Sequence, residues 1–439
     1  MVYLMNKKIG VIITFIVIAS LLLLFFFGYF KIESKTENHK PLVNVVYPKN
    51  GSTVSKIVTF SGIASDSDGN ETLERVEILI DDEWRDVTGT TKWIYTWEIF
   101  DITDGLYSIN VRSYDGVDYS DYDEIKLKVE NPDSIDSGSH KWAIFVSASN
   151  FPDNNESKLG NGALNLAEEM VSFFVSNLGY STNNIFVLFD DGWLRKDNGF
   201  GEPVMTLQER KHEYNITYAG AIKEIVESTI TYVVGKASEF RDSEVFIWIA
   251  GHGYGNINNT LTGGKILEKS AVFFWDDTIT DKELGKLTTG LKSDKTCIII
   301  DACFSGGFAD KTILGFREFF LLKSKLPHPG RVIITAASKF RPGYASTLNG
   351  PLFSQLWFNG LKSGDADGFK KGIFHRGRPT LLRIFKDGKV SVEEAFYYAS
   401  FKLRTDKDLH DYRKMEPQIN DQYPHKGFIR SVRGLILGN

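Results

Sequence analysis

Residues 296–307 read TCIIIDACFSGG, and residues 244–255 read EVFIWIAGHGYG. Each is an apolar, largely β-branched or aromatic run that stops in small residues around one reactive side chain, Cys303 in the first and His252 in the second. Such a run predicts a strand buried on both faces, as in a parallel sheet covered by helices. In open α/β sheets ligands sit outside the carboxyl ends of the strands, and both residues fall there. If the two strands are neighbours, about 4.8 Å apart, the thiol and the imidazole meet over one rim. A cysteine is a strong nucleophile as the thiolate, and an adjacent imidazole can take its proton and later return it to a departing amine. Gly251, Gly253, Gly306 and Gly307 allow a substrate backbone to approach closely. The main-chain N–H groups of Gly253 and Cys303 are the natural donors to an oxyanion.

The surrounding chain carries the same grammar. WAIFVSAS (142–149), NIFVLFDD (184–191) and RVIITAAS (331–338) are further apolar runs, and they alternate with helical patterns over 162–180, 216–237, 281–291, 350–361 and 391–404. This predicts a doubly wound α/β domain over 141–405, a mostly parallel sheet with helices on both faces, followed by a C-terminal extension at 406–439. Residues 41–131 differ. Short period-two segments, punctuated by turns such as PKNGS and DSDGN and free of helical pattern, predict an all-β antiparallel sandwich. This segment resembles the immunoglobulin-like modules of prokaryotic surface proteins. Residues 132–140, PDSIDSGSH, read as a linker.

At 439 residues the chain is too long for one ordinary core. Its 42% hydrophobic and 24% charged composition is that of a globular protein, and a net charge of −5 without a basic stripe argues against nucleic acid as a partner. Residues 11–30, VIITFIVIASLLLLFFFGYF, form an uncharged run long enough to cross a bilayer as a helix. Lys7 and Lys8 precede it, which favours an inside N-terminus and an outside body. The expectation is one transmembrane anchor (1–30) with a polar stalk at 31–40; a cleaved signal peptide is the alternative. N-x-S/T sequons at Asn70, Asn155, Asn215 and Asn258 are compatible with that side of the membrane. Cys297 and Cys303 are the two cysteines. Spaced six apart on an extended strand they are too distant to bridge, so Cys297 reads as a core hydrophobe and Cys303 as a free thiol.

A strand ending in His-Gly, followed by one ending in Asp-Ala-Cys, resembles the caspase-like superfamily of cysteine peptidases, which includes caspases, metacaspases, gingipain-like enzymes, legumains and the catalytic subunit of the glycosylphosphatidylinositol transamidase. The resemblance covers about 141–405. VLFDD followed by KDNGFGEP, and YNITYAGAIKEI beyond, resemble the legumain branch. The resemblance implies a caspase-like fold with Cys303 as nucleophile, His252 as general base and acid, Gly253 as an oxyanion donor and Asp301 lining the pocket for the residue preceding the cut. The stretch SNFPDNNESKLGNGALN carries no arginine where legumains have one. A preference for asparagine is therefore not carried over, and an acidic floor suits a basic or polar residue. Ser338 and Arg341, just past the last apolar strand, are expected to border the cleft.

DADG (365–368) and KDGKVSVEEAF (386–396) read as two halves of a calcium loop with Asp365, Asp367, Asp387 and Glu394 as oxygen ligands. The alternative is an acidic turn before a helix that Ser391 and Glu394 cap. The histidines and cysteines hold no zinc spacing, and the proposed chemistry requires no cofactor. The expected activity is a membrane-anchored, externally facing cysteine endopeptidase acting on proteins or peptides. The alternatives are a transamidase using the same dyad and a surface adhesin with an inactive peptidase-like scaffold.

Overall fold

Period-two alternation over residues 42–129 builds two facing sheets. The structure, a computed structural model, describes residues 38–131, 139–151, 158–204, 210–255, 270–309, 326–370, 386–424 and 434–438. The sandwich strands are β1 (Leu42–Tyr47), β2 (Thr53–Val54), β3 (Ile57–Ser65), β4 (Arg75–Ile80), β5 (Glu83–Asp86), β6 (Lys92–Glu98), β7 (Gly105–Tyr114) and β8 (Asp123–Val129). They form sheets of order β1-β3-β6 and β2-β8-β7-β4-β5. Alternate residues point inward, so Phe60, Val76, Ile78, Trp93, Val111 and Leu127 fill the space between the sheets.

The second module contains β9 (Lys141–Ala148), α1 (Gly162–Leu178), β10 (Ile185–Phe189), β11 (Thr217–Ala219), α2 (Lys223–Ala237), β12 (Glu244–Gly251), β13 (Gly253–Tyr254), β14 (Ala271–Phe273), β15 (Thr278–Thr280), α3 (Asp281–Leu287), β16 (Lys295–Ala302), β17 (Arg331–Thr335), β18 (Ala345–Ser346), β19 (Gly350–Pro351), α4 (Leu352–Ser363), α5 (Val392–Thr405) and β20 (Gln418–Asp421). The main sheet runs β11-β10-β9-β12-β16-β17-β20. Its first six strands are parallel, and β20 closes one edge antiparallel to β17. Helices cover both faces. Phe246, Trp248 and Ile299 join α1, α4 and α5 on one side, while Val245, Ile247, Ile249 and Ile300 join α2 and α3 on the other. That two-sided burial is why the strands read as unbroken apolar runs. The ends of the helices follow local chemistry: α1 stops at Gly179 in a left-handed conformation (φ 69), and α3 and α5 open with capping boxes, Thr280 with Glu283 and Ser391 with Glu394.

One expectation changes. The segment after 405 is part of the α/β domain rather than an extension beyond it. β20 pairs with β17 from Val332↔Asp421 to Thr335↔Gln418, and Leu435 and Leu437 lie in the core. The tail is tied down by buried carboxylates, because the Leu435 amide donates to Glu393 (2.9 Å to Oε2) and the Gly438 amide to Glu244 Oε1 (2.8 Å). No helix among the described residues is long and apolar enough to cross a membrane. The expected transmembrane run at 11–30 lies outside the described residues, as do 31–37 of the stalk and 132–138 of the linker.

The sandwich docks against the α/β module. Ile57 is buried within the same apolar cluster as α2, and Phe100 stacks on Tyr232 with centroids 4.4 Å apart. Ser228 donates to Glu98 Oε1 at 2.6 Å. Lys56 donates to the carbonyl of Asn183, and burial pushes its amine down to about 8.

Candidate active site

β12 and β16 are direct neighbours, in a register that sets Gly251 opposite Ala302. The next residue on each strand is His252 or Cys303, so the two leave the sheet side by side at its carboxyl rim. The strand order places this rim next to β9, the strand from which the chain winds in both directions, the position where α/β sheets bind ligands. His252, Asp301, Cys303, Gly343, Tyr344 and Pro351 line one cleft of about 110 Å³. Small-molecule sites usually span about 300–1,000 Å³, so this cleft has room for one side chain beside a backbone.

The rim is built tightly. A Cβ at Gly253 would lie 2.0 Å from the Cys303 carbonyl oxygen, so only glycine fits there. Phe304, immediately after Cys303, takes a left-handed backbone (φ 57) that a bulky residue adopts only when its surroundings enforce it. The surroundings do: the Phe304 amide donates to Arg341 O (2.8 Å), and its carbonyl accepts from Ser270 Oγ (2.5 Å). On the other wall Phe151 lies 6.2 Å from the His252 ring and stacks on Trp275.

The Cys303 thiol is partly exposed, and Gly343 N–H reaches its Sγ at 3.2 Å. Burial raises the thiol above its ordinary value, and the backbone N–H groups of Gly343, Cys303 and Gly253 pull it back down. Two things follow. At rest the sulfur carries its proton, so a base is needed to release it. The amides of Gly253 and Cys303 stand close enough to the sulfur to act on it. Cys297, by contrast, is wholly buried with its thiol raised well above the ordinary value by burial.

Asp301 is buried at the floor of the cleft, its carboxyl pushed up to about 6 by burial. Its Oδ2 accepts from the Ser354 hydroxyl (2.7 Å) and amide (2.8 Å) at the start of α4, and Trp248 Nε1 donates to Ser354 Oγ (2.9 Å). Ser338 and Arg341 are not among the residues lining the cleft. Both turn to Glu416, at 3.1 Å from Ser338 Oγ and 3.4 Å from Arg341 Nε. A polar cluster that the sequence reading passed over lies where β9 and β10 end. Asp190 accepts from the Ser149 amide (2.6 Å) and from Asn150 Nδ2 (2.6 Å), while Asn150 Oδ1 is buried with no hydrogen-bond partner. Its only sequence signal is the aspartate pair after the second strand.

The two halves of the expected calcium loop do come together, but as acceptors of backbone amides. Asp367 takes the amides of Asp387 and Gly388, each at 3.1 Å, and Glu394 takes those of Gly368 (3.2 Å) and Ser391 (2.9 Å). Asp365, on the turn after α4, is exposed. Among the described residues no group of three or more His, Cys, Asp or Glu side chains could hold a metal ion. Two wider hollows, each about 890 Å³, open where the sandwich meets α2 and β11, and neither is lined by a cysteine.

Residues 41–111 match the family described as Bacterial Ig domain. No curated protein matches the chain. Among solved structures the chain is similar to caspase-1 from Spodoptera frugiperda, at 14% identity over 64% of this chain and 86% of that one, with a TM-score of 0.35. It is also similar to the endo-beta-1,4-mannanase from Thermotoga petrophila, at 19% identity over 22% of this chain and 21% of that one (TM-score 0.20), so it spans about a fifth of that enzyme. Fibronectin(III)-like modules of Clostridium thermocellum CbhA match at 27% identity over 20% of this chain and 98% of theirs (TM-score 0.18). Residues 41–111 are thus similar to a bacterial Ig domain, and they precede a mixed sheet-and-helix domain.

Proposed function

We propose that this chain is a cysteine endopeptidase in which Cys303 is the nucleophile and His252 the general base and acid. One observation carries the reading: a half-exposed thiol and an imidazole leave adjacent parallel strands in matched register and line the same small cleft. In the proposed reaction an imidazole nitrogen of His252 takes the Cys303 proton as Sγ attacks the peptide carbonyl carbon. The oxyanion accepts from the N–H groups of Gly253 and Cys303. The imidazolium then protonates the amide nitrogen, the C–N bond breaks, and a thioester remains on Cys303. Water, deprotonated by the same imidazole, attacks the thioester and releases the carboxylic acid and the thiol.

Asp301, an acidic side chain at the floor of the cleft held by Ser354, supports a basic or polar residue immediately before the cut. The legumain-like segments VLFDD and KDNGFGEP and the apolar run at 11–30 support the finer reading, a legumain-branch enzyme anchored with its α/β domain outside the membrane. A transamidase would pass through the same thioester, and an added amine nucleophile separates the two by its appearance in the product. The test is a peptide-library digest. Wild-type protein is expected to cut, and Cys303→Ala and His252→Ala to lower turnover by roughly 10⁴-fold or more with unchanged thermal melts. Wild-type turnover in Cys303→Ala would refute the mechanism; no turnover by the wild type, with Cys303 inert to electrophiles, would favour the adhesin.

A further inference from the structure

The α/β domain leaves four large apolar side chains exposed among the described residues: Phe200 (76%), Tyr254 (58%), Leu348 (41%) and Tyr344 (37%). All other side chains of this kind belong to the sandwich, from Leu42 to Tyr122. Single exposed apolar residues are ordinary, whereas a group gathered at one opening marks a binding surface.

Each of the four sits in the cleft wall or on a segment joined to it. Tyr344 lines it, and Tyr254 follows His252 by two residues on β13. Leu348 sits at the tip of the β18–β19 hairpin, whose stem residues Ala345, Gly350 and Pro351 form a cleft wall. Phe200 is pinned to that hairpin. Thr347 Oγ1 donates to its carbonyl at 3.3 Å, and a Cβ at Gly201 would come within 2.0 Å of Thr347 O. Its loop is held by Asn198 Oδ1, which accepts from the amides of Phe200 (2.9 Å) and Glu202 (3.3 Å). Phe200 is therefore held outward by its own backbone, next to the wall.

The chemistry assigns sides to this rim. His252 hands a proton to the leaving amine, so the departing half of a substrate lies toward His252 and Tyr254. The acyl half lies across Cys303, where Gly343 borders the sulfur at 3.2 Å and the hairpin rises. We propose that Tyr344, Leu348 and Phe200 form an apolar shelf that selects extended peptides carrying aliphatic or aromatic residues two to four positions upstream of the cleaved bond. At about 3.3 Å per residue, those positions extend roughly 7–13 Å from the sulfur. This inference rests on the peptidase reading.

The test varies upstream positions two to four in peptide substrates while the residue at the cut stays fixed. Wild-type protein is expected to prefer Leu, Phe or Tyr over Asp or Gly by about 10-fold or more in kcat/KM. The double variant Phe200→Ser, Leu348→Ser is expected to shrink that preference below about 3-fold through a higher KM, with kcat within about 2-fold. Leu106→Ser, on the sandwich, is expected to leave the profile unchanged. Turnover with no apolar preference, or a preference untouched by the double variant, overturns the shelf alone. Absence of turnover together with an unlabelled Cys303 overturns the peptidase reading and the shelf with it.

Discussion

The cleft over Cys303 and the seam beneath the sandwich are the two places where the α/β module meets something outside its own core, and they are built in opposite ways. The seam is joined by large groups packed and paired: Ile57 buried among the α2 side chains, Phe100 stacked on Tyr232, the Lys56 amine on the Asn183 carbonyl. The cleft is kept open by small ones. Gly253 and Gly343 stand where any side chain would fill the space around Cys303. The seam holds no cysteine among the described residues, and the cleft holds Cys303 partly exposed. The comparison teaches that the Ig-like module is fastened to the α/β module rather than strung from it as a spacer, whereas the space around Cys303 is kept small and open by glycines.

Among changes that leave Cys303 and His252 in place, replacing the smallest group at the cleft should have the largest effect. Gly253→Ala drives a methyl group into the Cys303 carbonyl, and turnover is expected to fall by about 10²-fold or more. Steady-state kinetics on a cleaved peptide check this, and near-normal turnover would mean that the two strand ends are not locked together. At the seam, Ile57→Ala is expected to destabilise by roughly 2–5 kcal/mol and to lower the melting temperature of the α/β module along with that of the sandwich. Leu106→Ala, on the exposed face of β7, should change stability by less than about 0.5 kcal/mol. Calorimetry distinguishes the cases: an α/β transition indifferent to Ile57→Ala would restore the spacer.

The smallest expected effect lies away from both regions, where the C-terminal tail docks. Glu393 is pushed from 4.5 up to about 7, first by burial and then by the neighbouring Asp421. Between those values the folded chain holds a proton that the unfolded chain releases. Its contribution to stability is thus full below about pH 4.5 and is lost as the pH rises through 7. Glu393→Gln should flatten that part of the melting-temperature profile. A slope identical to wild type would show that other carboxyls set it.

How far the sequence could be read follows the same divide. The long strands were legible because burial on both faces leaves no alternation to misread, and the placement of His252 and Cys303 at strand ends came with them. β20 was not, because QIND at 418–421 is short and polar and becomes a strand only by pairing with β17. The two- and three-residue strands β13, β14, β18 and β19 escaped for the same reason. The seam was invisible because Ile57 and Phe100 look like ordinary sandwich residues until the partner surface is known. Ser338 and Arg341 stand on the expected loop, but Glu416, itself in a left-handed turn (φ 55), draws both side chains to itself. The acidic loop halves meet in space, with the Asp367 and Glu394 carboxylates accepting backbone amides.

The central claim is that the sulfur of Cys303 and the ring of His252 act as one unit over the cleft. Its most direct measurement is the rate at which a peptidyl electrophile modifies the folded protein, with the adduct located by mass spectrometry in wild type and in His252→Ala. The account predicts an adduct on Cys303 and none on the buried Cys297, formed at least about 10-fold more slowly without the imidazole. Equal rates in the two proteins, or a Cys303 that stays unmodified in the wild type, would contradict it.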